Sequence, residues 1–108
     1  MKEYCQGDII KISDFGNNTF VITSKNAFIK ALGVFHISPL LPGVTEGPLH
    51  INVKGKNGTE GTVICEQIKL VDPSARTVKR VDSLKYEDIM NVSDAIQGFF
   101  EYDRQVFS

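Results

Sequence analysis

The side chains best suited to chemistry in this chain are His36, Ser38, His50 and the run Glu66-Gln67-Ile68-Lys69. In Gly33–Pro39 (GVFHISP) alternation puts Val34, His36 and Ser38 on one side of a strand and Phe35 and Ile37 on the other. Imidazole is the natural acid–base group near neutral pH. A hydroxyl two positions away makes His36 with Ser38 one conceivable acid–base site; a hydrogen-bonded structural histidine is the simpler reading. His50 lies on another expected strand. Glu66-Gln67 interrupts an otherwise apolar stretch, and polar groups there must find partners or line a cleft. They either floor a groove or form a structural network inside the sheet. Lys54, Lys56 and Lys69 are of the right type to meet phosphates, or are ordinary solvated lysines. Cys5 and Cys65 make no disulfide framework, and no other Cys or His stands at ligand spacing from either. No metal or other cofactor is expected, and Cys65 reads as a small buried hydrophobe.

These groups must be positioned by short strands. Gly61–Arg80 (GTVICEQIKLVDPSARTVKR) organises the chain: a buried strand over 62–71, a tight turn at Asp72-Pro73-Ser74, and a strand leaving from Arg76. Apolar residues fall on both faces of 62–71, with Val63, Cys65 and Val71 one way and Ile64, Ile68 and Leu70 the other. That pattern predicts a central strand. Gly7–Ile12 opens a first strand, Gly16-Asn17-Asn18 is a turn, and Thr19–Thr23 is the second arm of a hairpin. Ser24–Ile29 predicts a helical turn or irregular link capped by Ser24 or Asn26. Residues 40–47 form a loop. Pro48–Val53 alternates with Leu49, Ile51 and Val53 inward, and Asn57-Gly58 is the tip of the next turn. A helix is expected from Leu84 to about Tyr102, capped by Asp82 or Ser83, with Ile89, Val92, Ile96 and Phe99 as its buried stripe. Phe100 widens that stripe, and Gly98 suggests close packing. The sum is an α+β arrangement, mostly β, with a small, strongly curved, barrel-like sheet.

The 108 residues suffice for a single domain, 1–108, with a modest core. The net charge of −1 announces neither nucleic acid nor membrane as a partner. Its distribution is uneven: Lys54, Lys56, Lys69, Arg76, Lys79 and Arg80 make a basic middle, whereas 82–108 are acidic. No signal peptide or spanning apolar run is present, so a cytoplasmic location and no membrane partner are expected.

Several segments in order resemble the PemK/MazF toxins. Tyr4-Cys5-Gln6-Gly7-Asp8-Ile9-Ile10, ending at Asp14-Phe15, is similar to their opening strand. Ser24-Lys25-Asn26-Ala27-Phe28 resembles the link after their second strand. Pro48-Leu49-His50-Ile51, Gly61–Lys69, Asp72-Pro73-Ser74-Ala75-Arg76 and Gly98-Phe99-Phe100-Glu101 continue the match. The resemblance implies an SH3-like barrel of the CcdB/PemK type, with five to seven short strands and a C-terminal amphipathic helix. It implies a homodimer, and the toxin of a type II toxin–antitoxin pair that cleaves single-stranded RNA without metal. A cognate antitoxin peptide would block the substrate groove. A sister branch, the CcdB-like proteins, poisons DNA gyrase instead.

The same resemblance marks two departures. The family's long first loop delivers an acidic residue and then Arg-Pro; here only Gly16-Asn17-Asn18 joins the strands, with Asn18 where the catalytic Arg is expected. The family's third strand ends in Pro-Ile-Thr with a catalytic Thr; here Pro39-Leu40-Leu41 stands there. Metal-free RNA cleavage needs a base, an acid and a cation or donor set for the phosphorane. Family-type ribonuclease activity is therefore expected to be weakened or lost, with His36, Ser38 and Asn18 the candidates for any rearranged chemistry. Asn17, Asn18, Gln67 and Lys69 are the candidate substrate contacts. The alternative is a catalytically inert binding module that holds an antitoxin or nucleic acid, RNA or DNA, or acts as a gyrase poison.

Overall fold

The computed structural model describes residues 3–103. The chain runs through β1 (Asp8–Ile12), a 3₁₀ turn (Ser13–Phe15), β2 (Thr19–Ile22), α1 (Asn26–Leu32) and β3 (Phe35–Leu41). It continues through β4 (His50–Lys54), β5 (Glu60–Ile64), β6 (Lys69–Val71), β7 (Val78–Ser83) and α2 (Tyr86–Phe99). All pairings are antiparallel, in the order β4-β5-β3-β2-β1-β7, with β6 also on β3. The result is the expected mostly-β fold, a curved seven-stranded sheet with a C-terminal helix, as a loose rather than closed barrel. β4 and β7 are not joined by a ladder; the Gly55–Leu84 bridge connects the hairpin tip to the end of β7.

The hub is β3 rather than the 62–71 stretch, because β3 carries β2 along one side and β5 and β6 along the other. The expected single strand is broken. β5 places Val63 opposite Leu40, and continuing that register would set Glu66 opposite Ile37. Lys69 stands there instead, because Cys65–Ile68 leave the ladder as a turn closed by the Gln67 N–H donating to the Ile64 carbonyl at 3.1 Å. A charged carboxylate has no place inside an apolar ladder, so the chain bulges where the polar pair falls. Beyond the break Leu70 turns to solvent, 58% exposed, instead of sharing a buried face with Ile64.

Alternation along the strands produces two cores, one on each face. Ile9, Val21, Leu40, Val53, Val63 and Cys65 join Leu84 and Val92 on one side. Ile10, Ile12, Ile22, Phe35, Ile37, Val71 and Val78 pack with Ile29 of α1 on the other. Leu49 and Ile51 pack against the first core and Val53 belongs to it, as their alternation predicts. The Cys65 thiol is buried; desolvation, helped by the Glu66 charge, pushes its pKa up to about 11.

Both helices are capped differently from expectation. Lys25 and Lys85 occupy the N-cap positions without side-chain caps. Ser24 Oγ accepts the His36 N–H at 3.0 Å, and Asn26 Oδ1 accepts the Gln6 N–H at 2.6 Å. Ser83 is the last residue of β7. Asp82 instead turns its carboxylate into the 55–59 loop, accepting the N–H groups of Asn57 (3.0 Å), Thr59 (3.1 Å) and Ser83 (2.7 Å). Tertiary partners thus outcompete local capping. Ile89, Val92 and Ile96 pack on the first core, but Phe99 is 47% exposed, Phe100 lies past the helix at 68%, and a Cβ at Gly98 would meet nothing. No described helix is long and apolar enough to cross a membrane.

Candidate functional site

The place where the two departures meet is built by the β1–β2 hairpin and the end of β3. The 3₁₀ turn after β1 ends at Gly16, whose φ of +68° reverses the chain cheaply only without a side chain. Asn17 and Asn18 follow, both exposed. The ladder with β3 then begins at Thr19 opposite Leu40, and the Thr19 hydroxyl donates to the Leu40 carbonyl at 3.1 Å. One rung further out, Asn18 falls beside Leu41. Leu41 in turn pairs Thr62 of β5. Thr62 is buried, with its hydroxyl 2.6 Å from Asn52 Oδ1 and 3.2 Å from the Val44 carbonyl. An open cleft of about 530 Å³ lies beside this end, lined by Pro42, Gly43, Val44, Asn52, Glu60 and Thr62 among others.

This end of the sheet therefore has amides and two hydroxyls, but both hydroxyl protons are directed at protein acceptors. The described arginines are engaged elsewhere. Arg76 pairs Asp14 at 2.9 Å and lies 5.0 Å from the Phe15 ring; Arg80 bonds Asp8 and the Glu3 carbonyl, both at 3.2 Å. No arginine and free hydroxyl converge there among the described residues.

The remaining candidates are dispersed. His36 is exposed and lies at the far end of β3, about 16 Å from Leu41 at ~3.3 Å of rise per residue. Ser38 is fully buried opposite Val21, and its Oγ has no hydrogen-bond partner among the described residues. The two share a strand face, but sheet curvature seals one and leaves the other in solvent. Gln67 is exposed on the turn between β5 and β6. Lys69 stands opposite Ile37, and its amine sits 4.2 Å above the Phe15 ring in a cluster with Arg76 and Asp14. Glu66 reaches back to β4, its Oε2 3.1 Å from His50 Nε2. That bond, followed by the bond from Glu66's own backbone N–H, holds the Glu66 carboxyl below its ordinary range. His50 and Glu66 thus form a clip between β4 and the turn.

Sequence reasoning missed Thr19, Asn52 and Thr62. Thr19 directly follows Asn18 and could have been found from the hairpin alone. Asn52 and Thr62 become neighbours only through the β4–β5 register.

Against known proteins, residues 7–100 match the family model for the PemK-like, MazF-like toxin of type II toxin-antitoxin systems. No curated protein matches. The fold is similar to a MazE–MazF structure from Deinococcus radiodurans, with TM-score 0.78 and 13% identity over 92% of this chain and 97% of that one. It is similar to an endoribonuclease from a mycobacterial species, with TM-score 0.76 and 12% identity over 91% of each chain. An endoribonuclease in complex with its cognate antitoxin, also mycobacterial, gives TM-score 0.76 and 12% identity over 93% of this chain and 99% of that one. At such identities the structures speak for the fold, and the family match, which spans nearly all the described residues, speaks for descent. With the family model covering residues 7–100, the chain belongs to the PemK-like, MazF-like toxin family of type II toxin–antitoxin systems.

Proposed function

We propose that this chain is a cytoplasmic, single-domain toxin that binds single-stranded RNA at the open end of the β2–β3 ladder but has weakened or lost the family's cleavage chemistry. The observation that carries the reading is Asn18 beside Leu41, where the resemblance calls for an Arg and a Thr. Losing one electrostatic group of this kind costs ~10²–10³ in rate, and here two are replaced. Asn17 and Asn18 are the proposed contacts at this end, with Gln67 and Lys69 peripheral to it. A cognate antitoxin is the partner in the same proposal, since the fold is similar to toxins solved with an antitoxin. An extended, acidic segment of it would fit the same cleft, as the family resemblance implies.

The test uses purified protein and labelled single-stranded RNA in EDTA. A mobility shift with the RNA intact over minutes is the expected result. Complete cutting within seconds at equimolar protein would overturn the loss of cleavage, and neither a shift nor cutting would overturn the RNA reading.

A homodimer belongs to the same proposal. Phe28 and Leu32, one helical turn apart on α1, are 60% and 67% exposed, and Leu70 is 58% exposed. Covering such side chains with a second copy stabilises association at ~25 cal/mol per Å² of apolar surface, before the cost of association is subtracted. Sizing at micromolar concentration is expected to give twice the chain mass; a purely monomeric elution would remove this part.

A further inference from the structure

Lys11 of β1 stands directly opposite Lys79 of β7, and on its other side opposite Thr19 of β2. Ile10 and Ile12 face the second core, so alternation sends Lys11 to the other face, past Ile9 and toward the open end. Leu40, Thr19, Lys11 and Lys79 therefore form one row across four strands. The row is one rung inside the Asn18–Leu41 position, whose side chains alternate to the other face, so the two meet at the rim of the sheet.

Like charges directly opposite in a ladder destabilise it. Nothing among the described residues relieves this pair: Lys54, Arg76 and Arg80 each have a carboxylate partner, while Lys11 and Lys79 have none. Lys11 is half-buried, which fits a stem lying along the sheet with its ammonium in solvent, and Lys79 opposite it is exposed. Directly opposite Cα atoms are ~4.5–5.5 Å apart. Two long side chains rooted at that spacing can bring their ammonium groups onto the oxygens of one phosphodiester or of two successive ones. Lysine acts toward phosphate as a point charge, whereas planar carboxylates favour the arginine fork, and the described arginines are already paired.

We propose that Lys11 and Lys79 form a phosphate grip for the backbone of single-stranded RNA, leading the strand over Thr19 on the first-core face to the rim of the hairpin at Asn18. The proposal rests on the RNA reading above and adds residues outside the hairpin and the end of β3. The grip binds without cutting. It supplies from β1 and β7 part of the positive charge that the hairpin lacks.

The test is fluorescence anisotropy of a short labelled single-stranded RNA, titrated at several salt concentrations in EDTA. Each phosphate contact contributes ~0.7 to the slope of log K against log salt for single strands. Lys11→Ala with Lys79→Ala is expected to weaken binding and flatten that slope by roughly 1.4. Lys11→Arg with Lys79→Arg is expected to keep the slope, and the control pair Lys30→Ala with Lys85→Ala to leave it nearly unchanged. An unchanged slope in the double alanine variant overturns the grip and leaves the RNA reading standing. So does an equal loss in the control pair, which would show a whole-molecule charge effect. If the unsubstituted protein does not bind RNA, both fall. If the double alanine variant loses oligoglutamate binding but keeps RNA binding, the pair serves an acidic peptide and the proposal is wrong.

Discussion

Asp82→Ala is expected to destabilise the fold by roughly 3 kcal/mol, because hydrogen bonds to a buried charged acceptor are the costly ones to lose. Asp82 is 4% exposed and accepts three backbone N–H groups, two of them from the 55–59 loop. For a domain of this size that predicts a fall in Tm on the order of 12–24 °C. The effect carries a pH signature. Burial alone would push the Asp82 carboxyl up, but the Thr59 hydroxyl and the N–H groups of Ser83, Asn57 and Thr59 outweigh it and bring the pKa down to about 2. A carboxyl depressed in the folded state contributes stability above its unfolded value near 4 and loses it as pH falls toward 2. At most about 2 kcal/mol is lost across that window, and the Asp82→Ala curve should lack this component. A Cβ at Gly55 would run into the same carboxylate, so Gly55→Ala should cost ~1–3 kcal/mol in the native background and much less in Asp82→Ala. Thermal melts from pH 2 to pH 7 check all three. A Tm change below about 3 °C for Asp82→Ala would show that water replaces the carboxylate without penalty.

Asn18→Arg combined with Leu41→Thr should raise metal-free cleavage of single-stranded RNA at least ~10²-fold over the native protein. The register puts these two positions side by side, just beyond the Thr19–Leu40 rung. A guanidinium there can stabilise charge on a phosphorane, and a hydroxyl beside it supplies a further donor. The single variants should each fall well short of the pair, because groups within one catalytic unit are not additive. The assay is cleavage in EDTA under single-turnover conditions, with RNA binding and melting as controls. A double variant that folds and binds RNA like the native protein yet cuts no faster would place the loss elsewhere, in the missing loop. Leu41→Ser with Asn18→Arg separates a lost hydroxyl from a badly placed methyl group.

The parts of the fold legible in sequence were those fixed by local patterns. Gly16-Asn17-Asn18 between β-branched runs defines the β1–β2 hairpin, alternation at Leu49, Ile51 and Val53 gives the β4 face, and three-to-four spacing gives the α2 stripe. The unbroken 62–71 strand was wrong because apolar continuity cannot distinguish a strand from two strands sharing one partner. Its polar pair was the sign of the break. The caps were misplaced for a related reason: Asp82, Ser24 and Asn26 have non-local backbone groups within reach, and those win over their own helices. Within the site, the meeting of Asn18 and Leu41 follows from the hairpin and its neighbour. The Lys11–Lys79 row does not, because it depends on a ladder between the first and seventh strands with a bulge near Ile9 that no local signal announces.

The junction of the 55–59 loop with β7 has one more implication. Strand pairing from β4 through β3 to β1 and β7 can be completed with the two ends of the sheet still apart. The tip of the β4–β5 hairpin then docks on Asp82 and Leu84 as a latch rather than as a further rung. The ends of the sheet are therefore closed by that latch and by the Lys54 N–H bond to Asp88 of α2, short contacts where a fully sealed cylinder of the same strands would have a continuous ladder.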